Sequence, residues 1–334
     1  MDRRERVLEH IRMGMRGIEI GPYFAPLLPK AEGWDVLALD VFPTEELRSK
    51  AAKDPNIPRD RLSAIEPVDL VGPAHKLAEL TEAIGHAPSS FDFVLSSHNF
   101  EHLPDPVRFL QAVQRVLKPG GVLTLAVPDH RFCFDLLRPR STLNAVLEAY
   151  LEERQQPSQR QCFEHLVETA IIDPAIGIPS YGAGADPLNG VTLQEQLAEG
   201  FARWQERLKA ASVPYEDTHC WMFTPGSAEL LLRDLRFLGL TSLEVLACGP
   251  TVGVEFVIHL RRPATEEPIA RDAHYAVRRR LYATILAEEN GGSVSVSVAD
   301  VQLQAMLRSW SWRVTAPLRA VGRVAQKIRA ATRR

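Results

Sequence analysis

Cysteine is scarce in this sequence: the 334 residues contain four, and no two of them form a Cys-x-x-Cys pair. Such scattered cysteines disfavour a cysteine-based zinc cluster and a disulfide framework, and they suit a reducing compartment. We therefore expect a cytoplasmic protein with no resident metal.

Long apolar runs and an excess of one charge are missing as well. No uninterrupted apolar stretch reaches the roughly 18 residues that a membrane-spanning helix needs. Residues 1–17 are charged and lack the apolar segment of a secretory signal, so we expect neither export by that route nor a transmembrane anchor. The net charge of −3 offers no general attraction for polyanions, and we expect no nucleic-acid partner.

Short apolar runs that alternate with amphipathic stretches fill the first 130 residues, a pattern typical of a parallel sheet covered by helices. The clearest helix lies between the fourth and fifth strands, where Asp105 can cap the first turn and Pro106 suits the first helical position. Residues 118–121, Lys-Pro-Gly-Gly, should end this helix and turn the chain into the next strand. The predicted strands of this part are residues 17–21, 35–41, 68–71, 91–96 and 122–127.

The rest of the chain adds a lid and an extension to this pattern. Residues 129–215 lack strand signals and are predicted to form a helical lid inserted into the sheet, where enzymes often bind substrate. Residues 263–334 are predicted to be a helical C-terminal extension with a basic tail. We expect a doubly wound, mostly parallel seven-stranded α/β domain over residues 1–262. The later predicted elements are helices 142–153, 193–209, 225–237 and 270–289 and a final hairpin of strands 242–246 and 254–260.

Three residues near the ends of the first two predicted strands indicate a nucleoside site. Gly21 lets the backbone approach a ligand closely. Asp40 follows about twenty residues later, where a carboxylate can accept hydrogen bonds from both hydroxyls of a ribose. Glu19 stands two positions before the glycine and can bind an amino group. The structural alternatives are a plain turn at Glu19 and Gly21 and a surface carboxylate at Asp40.

A nicotinamide dinucleotide would need similar residues, but it also needs a full Gly-x-Gly-x-x-Gly turn beside a helix N-terminus for its pyrophosphate. That turn is absent here, which disfavours a dehydrogenase. After the third strand, the acidic residue that often binds an adenine amino group is also missing, and we expect the backbone of Ala74 or the ring of His75 to replace it. The other residues expected around the nucleoside are Pro22, Val41 and Ser97.

Two segments resemble class I S-adenosylmethionine-dependent methyltransferases of the small-molecule type. They are residues 91–103, with the run Ser-Ser-His-Asn-Phe-Glu-His, and residues 117–121, Leu-Lys-Pro-Gly-Gly. The resemblance is strong over residues 17–130 and weak as far as residue 262. It implies a Rossmann-like methyltransferase fold with S-adenosylmethionine in the predicted nucleoside site. The family's first motif usually has two further glycines where this chain has prolines, so the methionine end of the donor should be held differently.

Methyl transfer to a hydroxyl also needs a base, and three side chains after the fourth and fifth strands are candidates. His98 stands where the family faces the reacting methyl group, although it could instead pack against the adenine or cap the next turn. Asp129 and His130 follow the fifth strand, and Arg131 is placed to bind an anionic acceptor. The alternative for these residues is a local ion cluster at the start of a helix.

Further polar residues are expected near the acceptor. His165 and His219 lie among aromatic residues, which suits a sugar pocket, although each could be an ordinary hydrogen-bonded side chain. Glu101 and His102 are expected to orient the loop after His98. With His98 they offer one carboxylate and two imidazoles, a set that suits a transition metal. Loop orientation is the preferred interpretation, and no metal is expected.

The tail from residue 307 is basic and has tryptophans at 310 and 312, which suits an anionic membrane surface or a partner protein. It resembles tails of bacterial glycosyltransferases and methyltransferases of surface-polysaccharide assembly. That resemblance implies a saccharide acceptor, a location at the periphery of the inner membrane and a glycosyltransferase complex as partner. The alternatives are a methyltransferase of another small molecule, such as a lipid or secondary metabolite, and a non-catalytic scaffold.

Overall fold

A seven-stranded sheet organises the chain. The computed structural model describes residues 2–54, 57, 59–172, 188 and 190–290, so the predicted basic tail lies outside the described residues. The strands in these residues are β1 (Arg16–Ile20), β2 (Asp35–Asp40), β3 (Leu70–Val71), β4 (Phe91–Ser97), β5 (Leu117–Pro128), β6 (Ile171–Ile172), β7 (Val191–Thr192), β8 (Glu244–Cys248) and β9 (Glu255–Arg261). Seven of them form one sheet in the order β3-β2-β1-β4-β5-β9-β8, and β6 pairs with β7 separately.

The sheet is mostly parallel, as the sequence predicts. Strands β1 to β5 run parallel to one another, and β9 is antiparallel to both β5 and β8. The final hairpin therefore closes one edge of the sheet. The two-residue strands β6 and β7 lie in the lid, where the sequence predicts no strand, and runs this short leave too little alternation to be recognised.

Helices cover both faces of the sheet. The helices in the described residues are α1 (Arg3–Val7), α2 (Thr44–Lys53), α3 (Leu77–Ala83), α4 (Pro106–Val116), α5 (Leu143–Leu151), α6 (Gln159–Glu168), α7 (Leu197–Lys209), α8 (Pro225–Phe237) and α9 (Arg271–Glu289). Strand β4 contributes alternately to two apolar clusters: Val94 packs with residues of α4 and α8, whereas Phe93 and Leu95 pack with Val7 of α1. This alternation confirms the doubly wound arrangement. No helix of the described residues is long and apolar enough to cross a bilayer.

Helix α4 begins as the sequence predicts but leads into β5 earlier than expected. The Asp105 carboxylate accepts a hydrogen bond from the Arg108 backbone N–H at 3.0 Å, and Pro106 occupies the first turn. The helix ends at Val116, and Leu117 already pairs with Phe91 of β4. The Lys-Pro-Gly-Gly residues, predicted as a turn before the strand, instead lie within β5, where the register with β4 shifts. The predicted start of this strand at residue 122 is therefore wrong by five residues.

Helix α9 lies within the same compact unit as the sheet, which spans residues 1–290. Its Leu281 and Ile285 pack with Leu230 of α8 in a small apolar cluster. The His274 ring stacks on Phe237 with centroids 4.0 Å apart. The first part of the predicted extension is thus packed against the main domain, and the boundary at residue 262 stays a prediction.

Candidate functional site

The sheet places three predicted site residues side by side at the carboxyl end of its central strands. Ile20 pairs with Leu39 of β2 and with Ser96 of β4, so the next residues, Gly21, Asp40 and Ser97, follow at the same edge. The strand order also reverses direction between β1 and β4. In open α/β sheets, ligands bind in the crevice at such a switch point, outside the carboxyl ends of the strands.

Gly21 leaves open space at this edge, and Asp40 places a carboxylate beside it; both features fit a nucleoside. Gly21 has φ +63°, and a Cβ built on it would have no atom within 4 Å, so the space above it is open. The Asp40 carboxylate is half-buried, and its Oδ1 accepts the Phe42 backbone N–H at 3.1 Å. Burial raises the pKa of Asp40, so this carboxylate gains from new hydrogen-bond donors such as ribose hydroxyls.

Glu19 holds the loop that follows Gly21. Its side chain is buried, and its two carboxylate oxygens accept the backbone N–H groups of Leu27 and Leu28 at 2.8 and 3.1 Å. Burial raises the pKa of Glu19 to about 7, against the effect of these two hydrogen bonds. Because both oxygens are engaged, the structure gives Glu19 a role in shaping the loop; its contact with the donor stays a prediction.

The remaining residues predicted around the donor lie at or near the same edge. Val41 is half exposed directly after β2, and Ala74 is buried in the turn before α3. Burial lowers the pKa of His75, whose Nε2 has no hydrogen-bond partner within the described residues. The Ser97 hydroxyl accepts a hydrogen bond from the Arg3 guanidinium at 2.9 Å, and Pro22 directly follows Gly21.

His98 is held in a strained backbone conformation immediately after β4. Its φ is +49°, which a residue with a Cβ rarely adopts. The Nε2 atom lies 2.8 Å from Oε2 of Glu255, a residue of β9, and Nδ1 lies 3.7 Å from Oε1 of Glu101. Burial raises the pKa of Glu255, but the hydrogen bonds from His98 and Arg3 bring it down to about 2. Glu255 is therefore an ionised partner that orients the His98 ring, and no sequence pattern indicates this contact.

Asp129 and Arg131 form a closed ion pair. The Arg131 Nε and Nη2 atoms donate to the two oxygens of Asp129 at 2.9 and 2.6 Å, and the Thr251 hydroxyl lies 2.5 Å from Oδ2. Asp129 has no exposed surface. This geometry favours the ion-cluster interpretation over a base at Asp129 or an anion site at Arg131, and both of those roles stay predictions.

His130 is buried, and its ring nitrogens are poorly supplied with hydrogen-bond partners. It is 9% exposed, and neither ring nitrogen has a hydrogen-bond partner within the described residues. Burial lowers the pKa of His130 below its usual value, and the carboxylate of Asp129 opposes this only in part. The imidazole is therefore neutral near pH 7 and can accept a proton, which keeps it a candidate base.

The variant His130→Phe tests whether the buried His130 ring is neutral in the folded protein. The folded wild-type protein takes up a proton on His130 only at a lower pH than the unfolded chain does, so its stability falls as the pH drops below about 6.5. We expect His130→Phe to weaken this loss. Chemical unfolding curves at pH 8, 7, 6 and 5 should show the variant gaining stability relative to wild type as the pH falls. A constant difference at all four pH values would contradict the buried neutral state.

Residues 217–219, which follow the predicted lid, contact both the turn after β4 and Asp135 of the lid. His219 Nδ1 lies 2.5 Å from Asp135 Oδ2, and His102 Nδ1 lies 2.9 Å from Asp217 Oδ1. The rings of His102 and His219 meet edge to face with centroids 4.5 Å apart. These contacts place the predicted acceptor residue His219 next to the turn after β4, which the sequence could not indicate.

His165 lies close to this group without a direct bond to it. Its ring centroid is 6.0 Å from that of His219, and burial together with Arg138 lowers its pKa to about 4. Arg138 is completely buried and donates to Asp135 at 2.8 Å. The charged residues at 135 and 138 thus form an ion pair of their own, separate from Asp129 and Arg131.

A cavity of about 440 Å³ lies away from this edge of the sheet. Its walls come from the second half of α4, the loop between α8 and β8, and residues 266–269. None of the predicted site residues lines it.

Comparison with known proteins supplies the family. A family model described as "Methyltransferase domain" matches residues 1–238. Among solved structures, the chain is similar to a SAM-dependent methyltransferase from Aquifex aeolicus (16% identity, 78% of this chain, 89% of that chain, TM-score 0.37). It is also similar to a SAM-dependent methyltransferase from Methanosarcina mazei (17% identity, 77% of this chain, 96% of that chain, TM-score 0.38). A third similar structure is the CcbJ methyltransferase from Streptomyces caelestis (14% identity, 77% of this chain, 94% of that chain, TM-score 0.38). No curated protein matches the chain in sequence.

Proposed function

Because this chain belongs to the methyltransferase domain family, we propose that it transfers a methyl group from S-adenosylmethionine to a hydroxyl group of a sugar in polysaccharide or glycolipid assembly. When bound, the donor supplies an electrophilic methyl group on a sulfonium. The protein has to hold that donor, align the acceptor oxygen with the methyl group and receive the hydroxyl proton. The pairing of His98 with Glu255 carries the proposal that the acceptor is a hydroxyl.

The residues that would hold the donor lie at the switch point between β1 and β4. Asp40 would accept hydrogen bonds from the ribose hydroxyls, and the open space at Gly21 would admit the donor above the end of β1. Glu19 fixes the loop after Gly21 through the backbone of Leu27 and Leu28. This loop carries the prolines that replace the usual glycines, so its shape depends on the Glu19 anchor rather than on a glycine-rich turn.

His98 receives the proton of the acceptor hydroxyl. With Nε2 donating to Glu255, its Nδ1 is the nitrogen that accepts a proton, and Glu101 lies 3.7 Å from that atom. The side chain is 39% exposed, so an acceptor can reach it, whereas Glu255 is buried behind it. An ionised carboxylate on one nitrogen stabilises the imidazolium that forms when the other nitrogen is protonated. An amine acceptor that arrives deprotonated has less need of such a pair.

Polar and aromatic side chains of the lid support a polyhydroxylated acceptor. The Phe134 ring is 37% exposed, and its centroid lies 4.8 Å from that of His219 and 6.2 Å from that of His165. An apolar ring face beside hydrogen-bonding groups suits a sugar, which has both C–H and O–H surfaces. The resemblance of the basic tail to tails of polysaccharide-assembly enzymes is a second, independent support.

The acceptor class is tested with S-adenosylmethionine labelled in its methyl group. The protein is incubated with free sugars and nucleoside diphosphate sugars, each paired with its deoxy analogue, and with panels of lipids and amines. We expect label in a sugar and none in the analogue that lacks the methylated hydroxyl. Label confined to lipids or amines would contradict the sugar acceptor. A protein that binds S-adenosylhomocysteine but labels no compound, including extracted cell-surface polysaccharide, would favour the scaffold alternative.

A further inference from the structure

Glu101 is an unusual residue because its carboxylate is completely buried and has no hydrogen bond to any described residue. The side chain has no exposed surface, and neither oxygen has a hydrogen-bond partner within the described residues. The His98 Nδ1 atom is 3.7 Å from Oε1, beyond hydrogen-bond distance. A carboxylate removed from water is strongly destabilising unless a cation or several donors compensate for the lost hydration. A bound cation would supply the compensation that the described residues do not give this carboxylate.

Two imidazoles share this space with Glu101. The ligand atoms that Glu101, His102 and His219 can offer all lie within 4.8 Å of one another. Backbone hydrogen bonds fix the two chain segments that carry them, because the Cys220 and Trp221 N–H groups both donate to the Glu101 carbonyl, at 2.7 and 3.1 Å. The three side chains are thus brought together by the packing of residues 219–221, which follow the predicted lid, against the turn after β4.

Each imidazole is oriented by its own carboxylate. Asp217 binds Nδ1 of His102 at 2.9 Å, and Asp135 binds Nδ1 of His219 at 2.5 Å. A ring held in this way presents Nε2 as its free nitrogen. Proteins that bind metals through histidine commonly fix the other ring nitrogen with a carboxylate or carbonyl, which sets the tautomer and raises the basicity of the ligand.

We propose that Glu101, His102 and His219 bind one divalent transition-metal ion. Two imidazoles and one carboxylate are ligands that suit zinc and its neighbours, whereas calcium and magnesium prefer sites built from oxygen alone. A tetrahedral zinc ion with bonds of about 2.0–2.2 Å holds its ligand atoms about 3.3–3.6 Å apart, so small side-chain rotations close the site. Three protein ligands leave one position for a water molecule or an oxygen atom of an acceptor. The site does not depend on which acceptor the enzyme methylates.

A second group of similar residues provides a matched control. Glu9, His10 and His259 also place their ligand atoms within 4.8 Å of one another. The Glu9 side chain is 51% exposed, and the Nδ1 atom of His259 is bonded to the Thr124 hydroxyl at 3.0 Å. This group has an exposed carboxylate in place of a buried, unpaired one, so we expect it to bind metal weakly.

The test is a calorimetric titration of Zn²⁺ into the full chain after removal of metals by a chelator. We expect one high-affinity ion per chain in the wild type. His219→Ala and Glu101→Gln should weaken this binding at least 10-fold, and Asp217→Asn should weaken it about 10–100-fold by releasing the His102 ring. His10→Ala should bind as wild type does. With Co²⁺, the wild type should show the visible absorption of a tetrahedral nitrogen and oxygen site, and His219→Ala should lose it.

Several results would overturn the proposal. These are the lack of a high-affinity ion in the wild type, unchanged affinity in Glu101→Gln and Asp217→Asn, or loss of the ion in His10→Ala alone. Thermal unfolding without metal shows whether each variant is folded. The Asp217 side chain is 70% exposed, so Asp217→Asn keeps the test decisive if the variants at buried positions do not fold.

Discussion

Replacing Asp40 by alanine will weaken the binding of S-adenosylhomocysteine, the demethylated donor, by at least about 30-fold. The carboxylate is half-buried and has a raised pKa because it is poorly hydrated, so ribose hydroxyls supply donors that it otherwise lacks. Hydrogen bonds to a charged group contribute about 1.5–3 kcal/mol, and a loss of about 2 kcal/mol corresponds to a factor of about 30 in the dissociation constant. Isothermal titration calorimetry measures the change directly.

Asp35→Ala is the matched control for this prediction. Asp35 begins the strand that Asp40 ends, and it carries an exposed carboxylate 3.6 Å from the Arg16 guanidinium. Its removal should leave the affinity for S-adenosylhomocysteine unchanged. Equal affinities of the two variants would mean that Asp40 does not contact the ribose.

Replacing His98 by alanine will lower kcat by about 10²–10⁴-fold once an acceptor has been identified, because a positioned base contributes about that much to a proton-transfer step. The affinity for S-adenosylhomocysteine should stay within a factor of about three of the wild type, since no donor-holding role is assigned to the His98 ring. A variant with wild-type kcat would exclude His98 as the base and leave His130 as the candidate.

Glu255→Gln tests the partner of the same histidine. Glutamine keeps the shape of the side chain but removes the charge that stabilises the His98 imidazolium. We expect kcat to fall, because the uncharged amide does not stabilise the imidazolium that forms when His98 takes the proton of the acceptor. A merely structural role of Glu255 would change the yield or stability of the protein and leave the kcat of the folded protein unchanged.

The sequence was sufficient to predict the elements whose signals are local. Helix α4 has its Asp105 cap and Pro106 at the first turn, and β1, β2 and β4 are apolar runs bounded by turn residues. The position of the candidate donor site then follows from the topology of the sheet, because parallel strands bring Gly21 and Asp40 to the same edge. The prediction of a turn at the Lys-Pro-Gly-Gly segment is wrong because a bulge within a strand and a turn use the same residue types.

Contacts between distant segments could not be predicted from one sequence. The pairing of His98 with Glu255 and the meeting of Glu101 with His219 depend on how β9 and the lid pack against the turn after β4. The positive φ of His98 depends on the same packing, since the sequence around it contains no glycine to mark a left-handed position. The role of Glu19 as a loop anchor was also missed, because the backbone groups that it binds leave no trace in the side-chain pattern.

We propose that the switch point between β1 and β4 holds the methyl donor. A crystal structure of the full chain with S-adenosylhomocysteine tests this placement most directly. We predict both ribose hydroxyls within hydrogen-bond distance of the Asp40 carboxylate and the donor lying over Gly21, with its sulfur facing His98. Density for the nucleoside elsewhere, for instance in the cavity beside α4 and the loop between α8 and β8, would contradict the account.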